Sequence, residues 1–148
     1  MQRLGVDSRS RVIQSGVEPA TSDVAAKLEI REGMPVLRHT ALILGDDVPF
    51  LLTTRYFPLD LIPDFENRLL RGGSFTALLR EEGLGPLQRA STVVGARMPQ
   101  DEESGLLSCP HNAPLLAVSA LGRLPGGRAV EWQHAVMNSL LIRLSFTS

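Results

Sequence analysis

Residues 36–57 restrict the fold more than any other stretch. Residues 36–44, Val-Leu-Arg-His-Thr-Ala-Leu-Ile-Leu, read as a strand, Gly45-Asp46-Asp47 is a turn signal, and residues 50–57, Phe-Leu-Leu-Thr-Thr-Arg-Tyr-Phe, make the returning strand. So short a connection forces the two strands antiparallel, because a parallel pair needs a crossover of roughly a dozen residues or more. The same holds for 114–124 and 129–137, which flank the hairpin turn Pro125-Gly126-Gly127-Arg128. Residues 88–98 read as a further strand and 140–146 as a last one.

Helices fall between these strands. Thr21 and Ser22 offer N-caps to a short helix in which Val24, Ala25 and Leu28 share a side. Pro58 and Pro63 bracket a loop or irregular helix. It leads to a helix over 75–82 that opens on Gly72-Gly73-Ser74 and stops at Gly83, where a left-handed residue is expected. Pro99 precedes an acidic first turn of the kind a helix dipole favours. The expected fold class is α+β, a largely antiparallel sheet with helices packed on it. Residues 1–20 are polar with no clear core face and read as a lead-in segment, leaving 21–148 as the domain.

The chain has 148 residues, enough for one core. Its 15 Lys plus Arg against 16 Asp plus Glu give a net charge of −1, without the basic excess of a nucleic-acid binder. The single Cys109 permits no internal disulfide and suits a reducing cytoplasm. No stretch has the roughly 18 apolar residues of a membrane helix. His39, His111 and His134 lack metal-ligand spacing, no nucleotide or hydrolase motif is present, and no acid/base pair stands out. No cofactor is expected.

Polar groups within otherwise apolar strands remain: Arg38, Thr40, Thr54 and Arg55 in the first hairpin, Arg89 and Thr92 in the third strand. Glu131 and Gln133, at i and i+2, share one strand face. That face, meeting the Gly-Gly-Ser helix start with its unpaired N–H groups, forms a candidate site for a small polar molecule.

In series, these segments resemble a known family. Leu28-Glu29-Ile30-Arg31-Glu32-Gly33-Met34-Pro35-Val36, Asp46-Asp47-Val48-Pro49 and Arg55-Tyr56-Phe57-Pro58 are similar to blocks of the effector-binding (UTRA) domain of GntR-type transcription regulators, HutC subfamily. Ser74 to Leu79 with Glu82-Gly83-Leu84, then Arg89-Ala90-Ser91-Thr92 and Ala96-Arg97-Met98-Pro99, look like the phosphonate-metabolism (PhnF-like) branch. Asn112-Ala113-Pro114-Leu115-Leu116 and Ala129-Val130-Glu131-Trp132 complete the set. The resemblance implies a chorismate-lyase-like fold, a homodimer, a small-molecule effector and no enzymatic activity. DNA would be met only through a winged helix outside this chain. It also implies an effector site in which Ser74 and Thr76, with Phe75 between them, hold an oxyanion at the helix start. Arg38, Arg55 or Arg89 would add charge, and Glu131 would orient an amine or hydroxyl, beside Thr40 and Gln133. The sequence departs from the family at several points. Ala41 and Ile43 occupy the places of the usual Arg-x-Arg clamp, Asp47 stands where Gly is usual, Leu140-Leu141 replaces an Asp-Arg, and the usual first strand is not evident. An enzyme of chorismate-lyase type and a ligand-free dimerisation module are the alternatives.

Overall fold

The computed structural model describes residues 8–71 and 75–141. In chain order the elements are β1 (Ser8–Pro19), α1 (Ser22–Leu28), β2 (Pro35–Gly45), β3 (Val48–Pro58), α2 (Phe65–Leu70), α3 (Phe75–Glu81), β4 (Gln88–Arg97), α4 (Asp101–Leu107), β5 (Leu115–Arg123) and β6 (Ala129–Asn138). The six strands form one sheet in the order β1-β2-β3-β6-β5-β4. Every neighbouring pair is antiparallel. The expected α+β class is what the chain adopts.

One strand was not expected. Residues 8–19 are not a lead-in but β1, paired along its length with β2. As an edge strand it needs backbone pairing more than an apolar face, and a bulge between Val12 and Gln14 breaks its alternation. At the other end, Leu140 and Leu141 lie in a turn, with the Leu141 N–H donating to the Asn138 carbonyl at 3.0 Å. The rest of the strand expected over 140–146 lies outside the described residues. The span after Pro63, read as irregular, contains the regular helix α2.

Facing residues of an antiparallel pair share a side of the sheet, and successive residues alternate. The side carrying Leu37 and Phe57 packs against Phe65 and Leu69 of α2 and Leu78 and Leu79 of α3. The opposite side carries Val36, Tyr56 and Trp132 under α1, and Leu42, Leu52 and Val136 against Leu107 of α4. Helices thus cover both faces, two on each. α2 and α3 are tied together by Arg68, which donates to Glu81 at 3.0 Å and Glu82 at 2.8 Å. Gly83 does take the left-handed conformation, φ 70°, and the Leu84 N–H then reaches back to the Leu79 carbonyl at 3.0 Å.

The start of α4 is held by a capping box. The Gln100 N–H donates to Glu103 Oε1 at 2.9 Å, and Arg97 donates to both oxygens of the same carboxylate at 2.7 and 2.6 Å. The Arg97 hydrogen bonds, opposed by burial, hold Glu103 below the ordinary carboxylate range. Its stabilisation is therefore complete above the unfolded-state value and is lost as pH falls through the lower folded-state value. Glu103→Ala is expected to cost about 1–3 kcal/mol at pH 7. The deficit should shrink on acidification below pH ~4, as read by denaturant unfolding at the two pH values.

Candidate effector cleft

The side of the sheet under α2 and α3 is not wholly filled. Beyond Leu79 the chain leaves α3 through Gly83 and Gly85, both with positive φ, and Gly85, Pro86 and Leu87 arch over the sheet before β4 begins. Below that arch lies a cleft of about 750 Å³ including its open mouth, lined by Arg55, Leu79, Gly85, Pro86, Leu87, Arg89, Glu131 and Gln133. Register explains why its polar groups meet. Arg55 on β3 faces Gln133 on β6, while Glu131 faces Gly122 on β5, which in turn faces Arg89 on β4.

Gly122 is the residue that gives this row its space. A Cβ there would stand 3.1 Å from the Leu87 Cδ1 and 3.5 Å from the Glu131 Oε1. The carboxylate distance is ordinary contact, so the tight neighbour is the Leu87 side chain, which the missing side chain allows to come down onto the strand. A glycine inside a strand often marks such a close approach, and Gly122 between Leu121 and Arg123 was a legible but unread signal.

The electrostatics are uneven. The Glu131 side chain is only 13% exposed, and its Oε2 lies 3.7 Å from the Arg55 Nε, an ion pair without a close hydrogen bond between these two atoms. Burial pushes the Glu131 carboxyl above its ordinary value, with Arg55 and Arg89 pulling it partly back. On the same side, His39 faces Arg55 across the β2–β3 ladder. Burial, then the Arg55 charge, lower its pKa against a smaller opposing effect of Glu66. His39 is therefore neutral at pH 7, and its Nδ1 is 3.2 Å from the Ser15 Oγ. Two guanidiniums, one destabilised carboxylate and an amide converge here, a set suited to an anion that also offers a hydroxyl or amine. Among the described residues no group of His, Cys, Asp or Glu is arranged to hold a metal.

Of the residues singled out from the sequence, Arg55, Arg89, Glu131 and Gln133 are brought together. Arg38 and Thr40 are not. They lie on the opposite side of the sheet, Arg38 between Gly16 and Tyr56 in the register and Thr40 bonded to Thr54 through their hydroxyls at 3.0 Å. A bulge is responsible. At the turn Gly45 faces Val48 and Leu44 faces Pro49, a register that, continued, would set Arg38 opposite Arg55. Phe50 is the extra residue, Ile43 faces Leu51, and the slip makes His39 the partner of Arg55 instead. Ser74 lies outside the described residues, as do the side chains of Phe75 and Thr76, although the backbone of both belongs to α3. Leu79, Gly85, Pro86 and Leu87 complete the cleft without having been anticipated.

Comparison with known proteins agrees with this fold. The UTRA domain profile matches residues 3–141. The transcriptional regulator PhnF of Escherichia coli (strain K12) is 32% identical over 82% of this chain and 50% of its own length. The HTH-type transcriptional regulator YurK of Bacillus subtilis (strain 168) is 26% identical over 74% of this chain and 45% of its own. The chain thus spans about half the length of the curated relatives it matches. Among solved structures, the C-terminal domain of YurK superposes with a TM-score of 0.87 at 22% identity, covering 93% of this chain and 95% of that one. The effector domain of PhnF from Mycobacterium smegmatis gives 0.84 at 18%, covering 95% and 86%. These two likenesses establish the shared fold. With the profile spanning nearly all of it, the chain belongs to the UTRA domain family, the effector-binding domains of GntR-type transcription regulators.

Proposed function

We propose that this domain senses a small polar anion, a phosphonate or phosphorylated metabolite, and that it does so as a cytoplasmic homodimer within a longer regulator. In that regulator a winged helix elsewhere in the protein reads DNA. The observation that carries the ligand class is the pair Arg55 and Arg89 lining one cleft with the buried Glu131. The guanidiniums take the oxyanion, and Glu131 with Gln133 takes a hydroxyl or amine at the other end. The curated relatives named above are longer transcription regulators, of which this chain matches about half, which supports a sensor in preference to an enzyme. Regulation then follows from a difference in effector affinity between two arrangements of the protein, and cannot exceed it.

Calorimetric titration with 2-aminoethylphosphonate, a hexose phosphate and the matching uncharged hexose tests the reading. One of the two anions is expected to bind and the hexose not to. Arg55→Ala and Arg89→Ala should each weaken that binding about 10- to 100-fold, the effect of losing one charge-assisted hydrogen bond. Equal binding of the uncharged sugar, or arginine variants that bind normally, would rule out an anionic effector in this cleft.

A further inference from the structure

The side of the sheet opposite the cleft is also incompletely covered. There α1 packs on Val36, Tyr56 and Trp132, and α4 on Leu42, Leu52 and Val136, while every residue of β4 before Arg97 is exposed. Register gathers five side chains around the space that remains. Trp132 on β6 faces Leu121 on β5, which faces Ser91 on β4. Two residues along, His134 faces Ser119, which faces Val93. Alternation puts Trp132, Leu121, Ser91, Ser119 and Val93 on one side and Glu131 and Gln133 on the other. Lys27, in the last turn of α1, reaches over from above, its Nζ 5.8 Å from the centre of the Trp132 ring. Together with Ala120 these residues line a pocket of about 310 Å³ including its open mouth. That is at the small end of the roughly 300–1,000 Å³ usual for small-molecule sites.

The chemistry of this pocket differs from that of the cleft. Of the described residues that line it, only Lys27 is charged, and among the described residues no carboxylate forms an ion pair with it. The Ser119 Oγ lies 2.9 Å from the His134 Nδ1. A hydroxyl has one donor and two acceptor sites, so this bond leaves Ser119 able to meet a ligand. Burial, then the Arg97 charge, lower the His134 pKa against an opposing effect of Glu103, so the imidazole beneath is neutral at pH 7 and adds no charge. One ammonium, without the planar fork of a guanidinium, suits a single negative charge better than a phosphate. Val93, Leu121 and the indole form an apolar wall, and an aromatic ring gains most against an indole. We infer that this pocket is a second small-molecule site, for a monocarboxylate that carries an aromatic ring. The carboxylate meets Lys27 and the hydroxyls of Ser91 and Ser119, and the ring lies against Trp132. This inference does not depend on what the cleft binds.

Trp132 is the single tryptophan of the chain, so its indole N–H resonance reports on this pocket directly. Titration of the 148-residue chain with benzoate, followed by that resonance and by calorimetry, should show saturable binding. Benzyl alcohol keeps the ring without the charge, and acetate keeps the charge without the ring. Each should bind at least roughly 10-fold more weakly than benzoate. Lys27→Met should weaken benzoate binding by about 10-fold or more, and Ser91→Phe, which places a ring in the pocket, should abolish it. Val94→Phe adds the same ring to the opposite side of the same strand and should bind as the parent does. All three positions are exposed, so the variants should keep the parent melting temperature and circular dichroism. An indole resonance that does not move, benzyl alcohol or acetate binding as well as benzoate, or undiminished binding in Lys27→Met or Ser91→Phe would each overturn the proposal. So would a Val94→Phe variant as impaired as Ser91→Phe.

Discussion

Phe65→Ala is expected to cost this domain about 3–5 kcal/mol, the range for removing a buried aromatic side chain. Phe65 is 1% exposed and meets the Phe57 ring edge to face, centroids 4.7 Å apart, in the centre of the cluster formed by Leu37, Leu69, Leu78 and Leu79. The other rings and aliphatic groups of that cluster have no means of closing the gap, because β3 is held on both sides by the ladder. At about 2–4 °C per kcal/mol for a chain of this size, the midpoint of thermal unfolding should fall by roughly 10 °C. Leu70→Ala, one helix position from the cluster but 55% exposed, should change stability by less than about 0.5 kcal/mol. Denaturant unfolding of both variants decides the matter. A loss below about 1 kcal/mol for Phe65→Ala would mean that α2 is not the anchor described here.

Glu131→Gln should move stability and binding in opposite directions. Burial is the largest influence on this carboxyl and raises its pKa, so the folded state holds a proton more tightly than the unfolded chain does. The sign then follows. The contribution of Glu131 to stability is fully present below the unfolded-state pKa and is lost as pH rises through the raised folded-state value. At pH 7 the parent carries that cost, and the neutral amide should leave the protein unchanged or up to about 2 kcal/mol more stable. Between pH 7 and about 4.5 the gap should narrow. Effector affinity should fall about 10- to 100-fold in the variant, because the neutral amide oxygen accepts from an amine or hydroxyl more weakly than a buried carboxylate does. Thermal melts across that pH range, with calorimetry on the same samples, read both quantities. A variant less stable than the parent at pH 7 would show that the ion pair with Arg55 outweighs the burial.

Much of this architecture was readable before any coordinates. The β2–β3 and β5–β6 hairpins were visible because alternation and turn chemistry coincide. Asp46 and Asp47 adopt φ of 50° and 68°, the conformation a two-residue hairpin turn demands and one that Asp tolerates. Leu106, Leu107 and the acidic turn before them marked α4 in the same way. What stayed hidden was hidden by single residues. The slip at Val12/Gln14 disguised β1, and the extra Phe50 moved Arg38 and Thr40 away from Arg55. Periodicity locates a residue on a face only within its own strand, and relating the faces of two strands requires the register, which one inserted residue reverses. Glu131 and Gln133 were readable as sharing one strand face, and the β4–β5 and β5–β6 pairings bring Arg89 and Glu131 to either side of Gly122. The partner that makes their arrangement possible was passed over because glycine offers no chemistry to search for.

That same glycine separates two properties that usually change together. The charges of the cleft reside on Arg55, Arg89 and Glu131, whereas the close approach of Leu87, which lines it, uses the space left by a hydrogen atom at position 122. One added methyl group there would press on the Leu87 side chain without altering a single charge. On the proposed reading of the cleft, such a change would alter the ligand it admits and leave Arg55, Arg89 and Glu131 in place. Ligand size would then be tuned from β5 and ligand charge by the strands on either side of it.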